Sequence, residues 1–287
     1  MTHMEKPDWI KKKVSLKDLR TLKQGLKGHG LHSVCEEAGC PNISDCFSRG
    51  VATVMIMGDI CTRSCRFCNV KTGRPKPLDP EEPLHVADWV RVSKLKYVVI
   101  TSVDRDDLND LGASHFADVI NYVKRQNPAV FIEALTPDFK GREDCISMVC
   151  NTPLNVFNHN IETVERLTST VRSASDYRRS LAVLYSAKKH YPHLTIKSGM
   201  MLGLGEQRHE VIEAMKNLVQ QGCEILTLGQ YLQPSKKHLP VAKYLAPALF
   251  DEYKAIGEKI GFKFVFSKPF VRSSYLADEI YRIGIKA

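Results

Sequence analysis

The feature that most constrains the fold of this 287-residue chain is a regular alternation of strand-like and helix-like segments. Short apolar runs rich in β-branched residues predict strands at residues 51–58, 96–103, 130–136, 155–162, 194–202, 224–232 and 262–268. Segments with helical periodicity separate them, at residues 80–95, 113–126, 142–149, 175–190, 208–221 and 247–260. Near-continuous apolar strands joined by helices imply a parallel sheet covered on both faces.

Polar residues at the ends of these strands favour a partial barrel over a doubly wound sheet. They recur at the carboxyl ends of several strands, where barrel enzymes gather their active-site groups, at Thr101, Ser102, Thr136, Asn158 to Asn160 and Gln230. We therefore predict an α/β chain that forms a partial (β/α)6 TIM-like barrel over residues 51–268. Residues 1–50 and 269–287 are expected to be N- and C-terminal extensions of this single integrated domain.

Composition and charge exclude several classes of protein. Hydrophobic residues make up 43% of the chain and charged residues 25%, which argues against disorder. No run of 18 apolar residues is present, and the first 20 residues lack the apolar core of a secretory signal. We therefore expect a cytoplasmic protein that does not bind a membrane. The formal net charge of +9 indicates either a solvated basic surface or an acidic partner.

Six of the nine cysteines fall within residues 34–70, in two triplets of different spacing. The triplets are Cys35, Cys40 and Cys46 (C-x4-C-x5-C), and Cys61, Cys65 and Cys68 (C-x3-C-x2-C). In a chain without a secretory signal, this pattern favours metal or redox chemistry over disulfides. Structural zinc takes four ligands, so neither triplet suffices alone, although His32 is close enough in sequence to complete the first. Three thiolates on a four-iron cubane would instead leave one iron open.

The second triplet resembles the signature loop of the radical S-adenosylmethionine superfamily. CTRSCRFC directly follows the first predicted strand, and Phe67 is the aromatic residue that usually precedes the last cysteine. The resemblance implies a [4Fe–4S] cluster on this triplet, whose open iron binds S-adenosylmethionine and cleaves it to a 5′-deoxyadenosyl radical. It also implies cofactor contacts from the loop and the strand ends, for which the candidates are Phe67, Thr101, Ser102, Asn158, Asn160 and Gly199.

The first triplet and a series of landmarks resemble the lipoyl synthase family. The landmarks run from about residue 30 to 280, at residues 98–108, 133–141, 155–164, 197–206, 226–241 and 270–278. The resemblance implies that the first triplet holds an auxiliary [4Fe–4S] cluster, carried by the two extensions. Its fourth ligand would be Ser274 of the R-S-S-Y motif, in which Arg272 is a second candidate catalytic residue.

The resemblance further implies a reaction and its partners. The reaction is radical insertion of two sulfur atoms, at C6 and C8 of an octanoyl chain on a lysine of a lipoyl carrier protein, with the auxiliary cluster as the sulfur source. The carriers would be lipoyl domains of 2-oxoacid dehydrogenases and the glycine cleavage H protein. An electron donor such as ferredoxin or flavodoxin and a cluster carrier that rebuilds the auxiliary cluster are also implied, and neither nucleic acid nor oligomerisation is expected.

Two alternatives stay open from the sequence. One is another radical S-adenosylmethionine enzyme that inserts sulfur or transfers methylthio groups, which the R-S-S-Y motif and the lack of an added RNA-binding domain disfavour. The other is an iron–sulfur electron carrier or a zinc-structured binding protein. That second alternative predicts two closed metal sites and no cleavage of S-adenosylmethionine.

Overall fold

The computed structural model describes residues 7, 9, 24–37, 40, 42–275 and 279 of the chain. Its centre is a seven-stranded sheet in which all neighbouring strands are parallel and follow each other in chain order. The strands of this sheet are β1 (Val51–Ile56), β4 (Tyr97–Ser102), β5 (Phe131–Leu135), β6 (Val156–Asn158), β7 (Thr195–Leu202), β8 (Ile225–Gln230) and β9 (Phe264–Ser267). A two-stranded parallel ribbon consists of β2 (Ile60–Cys61) and β3 (Lys71–Thr72). Among the described strands, β1 and β9 do not pair with each other, so the barrel is open.

Helices connect the strands and pack against the outside of the sheet and against one another. They are α1 (Val34–Glu37), α2 (Ile43–Ser48), α3 (Glu82–Val92), α4 (Ala113–Gln126), α5 (Glu143–Cys150), α6 (Glu165–Val171), α7 (Tyr177–His190), α8 (Arg208–Gln220) and α9 (Pro247–Ile260). Residues 24–28 are also helical, and Phe139–Gly141 forms a 3₁₀ turn. Within the described residues, no helix combines the length and apolarity needed to span a bilayer. The predicted partial (β/α)6 barrel is confirmed, and a seventh strand follows its last helix.

The predicted strand at residues 155–162 is shorter in the structure, which ends β6 at Asn158. Glu162 has a φ of 65°, a left-handed conformation that a strand does not tolerate. The segment nevertheless stays beside β7, because the Glu162 amide donates to the Gly199 carbonyl at 3.0 Å. This departure from the ladder turns the polar side chains after Asn158 towards the carboxyl end of the barrel.

The strand register brings the predicted polar strand ends to one level. Thr101 of β4 is opposite Met55 of β1 and Leu135 of β5, and Leu135 is opposite Asn158 of β6. Because side chains alternate along a strand, these in-register positions share one face of the sheet. The carboxyl ends of β1, β4, β5 and β6 therefore form a common rim.

A buried polar network fills the barrel interior beneath this rim. The ammonium group of Lys197 lies 3.0 and 2.9 Å from the two carboxylate oxygens of Glu133, and both side chains are fully buried. Tyr97 donates its hydroxyl proton to Glu133 at 2.7 Å, and the Asn158 amide donates to the other oxygen at 2.7 Å. All three donors bind the Glu133 carboxylate. The charges of Lys197 and Glu133 are therefore paired inside a low-dielectric interior.

Removing one partner of this network should cost a large share of the stability. Lys197→Met is expected to lower the free energy of unfolding by about 3–5 kcal/mol, because it leaves the Glu133 carboxylate buried without a counter-charge. Chemical denaturation checks this result. The double variant Lys197→Met/Glu133→Leu should recover most of the loss, since it removes both charges. A double variant no more stable than Lys197→Met would contradict the pairing argument.

Candidate active site

A cavity of about 200 Å³ lies at the rim where β1, β4, β5 and β6 end. All three cysteines of the second triplet line it, and Val34, the neighbour of Cys35, lines it as well. Of the candidate cofactor contacts, four line this cavity, namely Phe67, Thr101, Ser102 and Asn160. The structure therefore brings strand-end residues and the second cysteine loop together around one space.

Cys61 of the second triplet ends β2, and Cys65 and Cys68 follow in the loop between β2 and β3. Cys61 Sγ accepts backbone N–H groups from Arg63 at 3.4 Å and Asp104 at 3.3 Å, and the Cys68 amide donates to the Cys65 carbonyl at 3.0 Å. Burial raises the pKa of each of the three thiols to about 11, and negative neighbours, including other thiolates of the triplet, add to the rise. Without a cation, the thiols are therefore protonated at neutral pH. A bound metal would replace these protons.

Arg63, inside this loop, fixes the loop to the barrel. Its guanidinium donates to both oxygens of Asp106 at 2.7 and 2.8 Å and to Asp138 at 2.9 Å. Arg63 is 6% exposed, and Asp138 is fully buried and also receives Arg179 at 2.8 Å. Bidentate, charge-assisted hydrogen bonds of this kind hold geometry well. The cysteine loop is thus preorganised by an ion-pair network that involves the DRDD segment after β4.

The donor sets fit iron–sulfur clusters and S-adenosylmethionine. Among the described residues, no three His, Cys, Asp or Glu side chains converge on one ion position. A cubane cluster places each thiolate on a separate iron and does not need such convergence. Beside the second triplet, Ser102 Oγ, Asp104 Oδ1 and Asn160 Oδ1 are buried without a hydrogen-bond partner. Polar atoms left this way point to a polar ligand in the cavity.

Two of the candidate cofactor contacts lie behind the cavity wall. Asn158 is fully buried and donates to Glu133, one layer deeper in the barrel. A Cβ atom on Gly199 would lie 2.8 Å from Asn160 Oδ1 and 2.6 Å from Thr227 Oγ1. Because Gly199 has no side chain, the Asn160 side chain can occupy the space beside it.

The first cysteine triplet lies against the free edge of β1. The His32 carbonyl accepts the Met55 amide at 2.9 Å, and the Ser33 hydroxyl donates to the Thr53 carbonyl at 2.7 Å, so the entering chain runs antiparallel to β1. The Cys40 amide donates to the Cys35 carbonyl at 2.9 Å, which folds the first two cysteines towards each other. A hydrogen bond with Cys40, together with burial, raises the pKa of Cys35 well above its ordinary value.

The C-terminal segment crosses the open side of the barrel and reaches both cysteine regions. The Phe270 carbonyl accepts the Asn42 amide group at 2.5 Å, between Cys40 and Cys46 in the first triplet. Ser273 Oγ accepts the Asn160 amide group at 2.6 Å, at the wall of the cavity. The R-S-S-Y motif, which contains the half-buried Ser274, thus lies between the two regions.

The residues that flank the two serines interact with the first triplet. Burial lowers the pKa of Arg272, and the proximity of Cys40 and Glu162 opposes this shift. Burial raises the pKa of Tyr275 to about 12, with further contributions from Asp45 and Cys46. The motif predicted to complete the first cluster site is therefore next to that site, although it lies more than 200 residues away in the sequence.

Gly229 on β8 provides the space through which this segment passes. A Cβ atom there would lie 2.0 Å from the Val271 carbonyl oxygen and 3.0 Å from Arg272 Nη1. Gly229→Ala is expected to push the R-S-S-Y motif away from the first triplet and to lower the rate of product formation about 100-fold, the effect of an error near 1 Å.

The test of Gly229→Ala is the rate of lipoyl formation, with iron content measured alongside. Gly28→Ala is the matched control, since a Cβ atom on Gly28 would meet nothing within 4 Å. Equal rates for Gly229→Ala and the parent chain would mean that the position of this segment does not matter to the reaction.

Two charged residues of the cavity wall were not predicted from the sequence. Glu162 follows β6 in its left-handed conformation and accepts the Asn160 amide at 3.0 Å, and burial raises its pKa. Arg172 is 8% exposed, donates to the Asn160 carbonyl at 2.9 Å, and keeps Nε buried without a partner. Both lie in connections whose local sequence has no distinguishing pattern. The only sequence signal that could have identified these two residues is that a charged residue follows a buried strand or helix.

Comparison with known proteins identifies the family. Residues 55–218 match the family described as Radical SAM superfamily. Lipoyl synthase of Methylococcus capsulatus is 53% identical over 278 residues, which cover 96% of this chain and 86% of that protein. Lipoyl synthase of Actinobacillus succinogenes is 51% identical over 278 residues, 96% of this chain and 87% of that protein.

A solved structure supports the fold independently. The crystal structure of methylornithine synthase superposes with a TM-score of 0.56 at 12% identity, covering 79% of this chain and 76% of that one. At this identity the similarity concerns the fold alone. The sequence identity to the curated relatives extends over nearly the whole chain and includes both cysteine regions. The chain therefore belongs to the lipoyl synthase family of the radical S-adenosylmethionine superfamily.

Proposed function

We propose that this chain converts an octanoyl chain, attached to a lysine of a carrier protein, into a lipoyl group by inserting sulfur at C6 and C8. As a member of its family, it is a radical S-adenosylmethionine enzyme of lipoate sulfur insertion and uses two [4Fe–4S] clusters, one radical-generating and one auxiliary. Unactivated C–H bonds have no accessible pKa, so acid–base side chains cannot open them and a cofactor is needed.

The second triplet supplies the radical-generating site in this proposal. Cys61, Cys65 and Cys68, which line the cavity, would hold one cluster. When bound there, S-adenosylmethionine supplies the radical that removes hydrogen from the octanoyl chain. The buried oxygens of Ser102 and Asn160, which lack partners, are suited to bind the cofactor's polar groups. Phe67 and Thr101 border the same space.

The first triplet supplies the auxiliary site. Cys35, Cys40 and Cys46 hold three corners of the auxiliary cluster, and Ser274 holds the fourth. A serine oxygen is a harder ligand than a thiolate and suits iron less well, so that corner is the one most readily vacated. Arg272 contributes positive charge beside Cys40. This cluster is the proposed source of the inserted sulfur.

A single observation carries the proposal: the second triplet lines a cavity whose wall also includes Val34, the neighbour of Cys35, and Asn160, which the R-S-S-Y segment contacts through Ser273. Val34, next to Cys35, lines the cavity together with Cys61, Cys65 and Cys68. Met55 and Leu135 add apolar wall at the strand ends, which suits an aliphatic chain and keeps water away from it. A substrate in this space would lie beside the second triplet, and the segment that leads into the first triplet forms part of the wall through Val34.

The proposal includes an organisation and a set of partners. Residues 1–50 and 269–287 are the extensions that build the auxiliary site, and residues 51–268 are the barrel. The substrates are octanoylated lipoyl carrier proteins in the cytoplasm. An electron donor such as ferredoxin or flavodoxin and a protein that rebuilds the auxiliary cluster complete the set.

The experiment that tests this function is anaerobic reconstitution with iron and sulfide, followed by dithionite, S-adenosylmethionine and an octanoylated peptide. Mass spectrometry should detect a peptide that has gained two sulfur atoms, and that loses two hydrogens when the dithiol is afterwards oxidised to the cyclic disulfide. Transfer of a methylthio group would instead support the alternative class of radical enzyme. Formation of 5′-deoxyadenosine with an unchanged peptide would contradict the proposed substrate.

A further inference from the structure

The surface outside the second cysteine loop has a strong excess of positive charge. Residues 60–78, which contain the loop, include five Lys or Arg residues and no Asp or Glu. Residues 225–243 include three Lys residues and again no acidic residue. Both stretches stand out in a chain whose 41 basic residues are otherwise mixed with 32 acidic ones.

Two hydrogen bonds join these stretches into one surface. His238 Nε2 lies 2.9 Å from the Cys68 carbonyl oxygen, and the Leu239 amide donates to the Arg66 carbonyl at 3.1 Å. The exposed Lys236 and Lys237 directly precede His238. Their charges are therefore attached to the backbone of the loop that carries the second triplet.

The positive charges of this surface have no ion-pair partner among the described residues. We define the basic face as the exposed side chains of Arg66, Arg74, Lys76, Lys236 and Lys237. Within the part of the chain that the structure describes, no ion pair joins any of the five to a carboxylate. Arg74 attracts the carboxylate of Asp107 at longer range and helps to lower the pKa of Asp107. The hydrogen bond from Arg105 has the larger effect on that pKa.

Some exposed basic residues elsewhere on the surface form ion pairs with carboxylates. Arg208 is paired with Glu252 and Arg166 with Glu210, both on the outside of the barrel. Lys71, which neighbours the basic face, is excluded from it because it pairs with Asp59 at 2.8 Å. The basic face differs from these pairs, because none of its five cations has a carboxylate partner among the described residues.

Arg66 of the basic face is adjacent in sequence to Cys65 and two residues from Cys68. Along the loop, Ser64 and Arg66 are exposed, whereas Cys65 and Phe67 are half-buried and line the cavity. A molecule bound to Arg66 would thus lie close to two of the proposed cluster ligands. Electron transfer slows steeply with distance, so this surface suits an external donor.

We propose that the basic face is the docking surface for an acidic one-electron carrier protein that reduces the cluster on Cys61, Cys65 and Cys68. The inference rests on the proposed function, which requires one-electron reduction of that cluster. Transient electron-transfer interfaces are small and depend on charge complementarity to bring the partners together. An octanoyl-lysyl arm, by contrast, extends several bonds from its carrier, so the carrier does not have to bind directly over this loop.

The test compares two reductants on the reconstituted full chain. Lys236→Glu/Lys237→Glu should lower the rate of 5′-deoxyadenosine formation about tenfold or more when reduced flavodoxin is the donor at low salt. The rate with dithionite, a small reductant that needs no docking surface, should be unchanged. Lys254→Glu/Lys259→Glu, on the exposed side of α9, is the matched control and should behave like the parent chain with both reductants. The affinity of oxidised flavodoxin for the full chain, measured by calorimetry, should fall only in the first variant.

The outcomes separate docking from other roles of this surface. An unchanged rate with flavodoxin, or an equal loss with both reductants, overturns the proposal, because the lysines then do not act through the donor. Weaker binding of the octanoylated carrier with full flavodoxin activity overturns it in favour of substrate docking. A chain that forms no 5′-deoxyadenosine even with dithionite would count against the proposed function. In that event the calorimetric comparison still decides whether the face binds the donor.

Discussion

Alanine at Cys61, Cys65 or Cys68 is expected to abolish the formation of 5′-deoxyadenosine, whereas alanine at Cys35, Cys40 or Cys46 should preserve it and abolish lipoyl formation. The two triplets lie on different elements: the second in β2 and the β2–β3 loop, where it lines the cavity, and the first in the segment beside β1, of which Val34 lines the same cavity. Loss of one site therefore leaves the backbone of the other in place. The difference between the two sets of variants follows from the separate roles proposed for the clusters.

The measurement is chromatographic quantification of 5′-deoxyadenosine and lipoyl peptide from the same reaction. Cys223→Ala is a suitable control, because Cys223 is buried beside the Ile225 carbonyl and belongs to neither triplet. Lipoyl product from any variant of the first triplet would show that its cluster is not the sulfur source. Cleavage of S-adenosylmethionine by a variant of the second triplet would contradict the assignment of that triplet as the radical-generating site.

Ser274→Ala should lose most sulfur insertion while retaining cofactor cleavage, because the auxiliary cluster loses the ligand that links it to the C-terminal segment. Cys35, Cys40 and Cys46 stay available, so a cluster should still assemble. Ser274→Cys is expected to bind the fourth iron more tightly, since thiolate is the softer ligand, and therefore to slow insertion rather than abolish it. Iron content and single-turnover product yield measure the two effects.

Ser273→Ala is the neighbouring control for this prediction. It removes the hydroxyl that accepts the Asn160 amide at 2.6 Å, but Asn160 keeps its hydrogen bond to Glu162 at 3.0 Å. The expected cost is that of one ordinary hydrogen bond, about 0.5–1.5 kcal/mol. Full activity of Ser274→Ala together with an inactive Ser273→Ala would mean that the serine ligand is Ser273. Full activity of both would remove serine ligation from this account.

Local periodicity was sufficient to predict most of the fold. The helix expected at residues 113–126 is observed as Ala113–Gln126, and the one expected at 247–260 as Pro247–Ile260. Helix α6 was not predicted. Strand β6 ends four residues earlier than expected, because the segment that follows it leads to the left-handed Glu162, whose conformation depends on contacts with β7. Such tertiary contacts override local propensity.

Two sequence signals select candidate residues of the site: the fixed spacing of the cysteine triplets and the position of Thr101, Ser102 and Asn160 at strand ends. The R-S-S-Y motif is selected by its resemblance to the lipoyl synthase family. Asn158 and Asn160 are equivalent by strand alternation, yet Asn160 lines the cavity while Asn158 donates to Glu133. The roles of Glu162, Arg172 and Gly229 follow from contacts between segments that are distant in the sequence. No local sequence pattern predicts those contacts.

The central claim is that the first triplet and Ser274 hold a cluster that is the source of the inserted sulfur. The direct measurement is to reconstitute the full chain with sulfide enriched in ³⁴S, remove free sulfide, and analyse the lipoyl peptide of a single turnover by mass spectrometry. The account predicts that both inserted sulfur atoms are ³⁴S and that Cys35→Ala, reconstituted in the same way, gives no product. A lipoyl peptide with unlabelled sulfur from the labelled chain would contradict it.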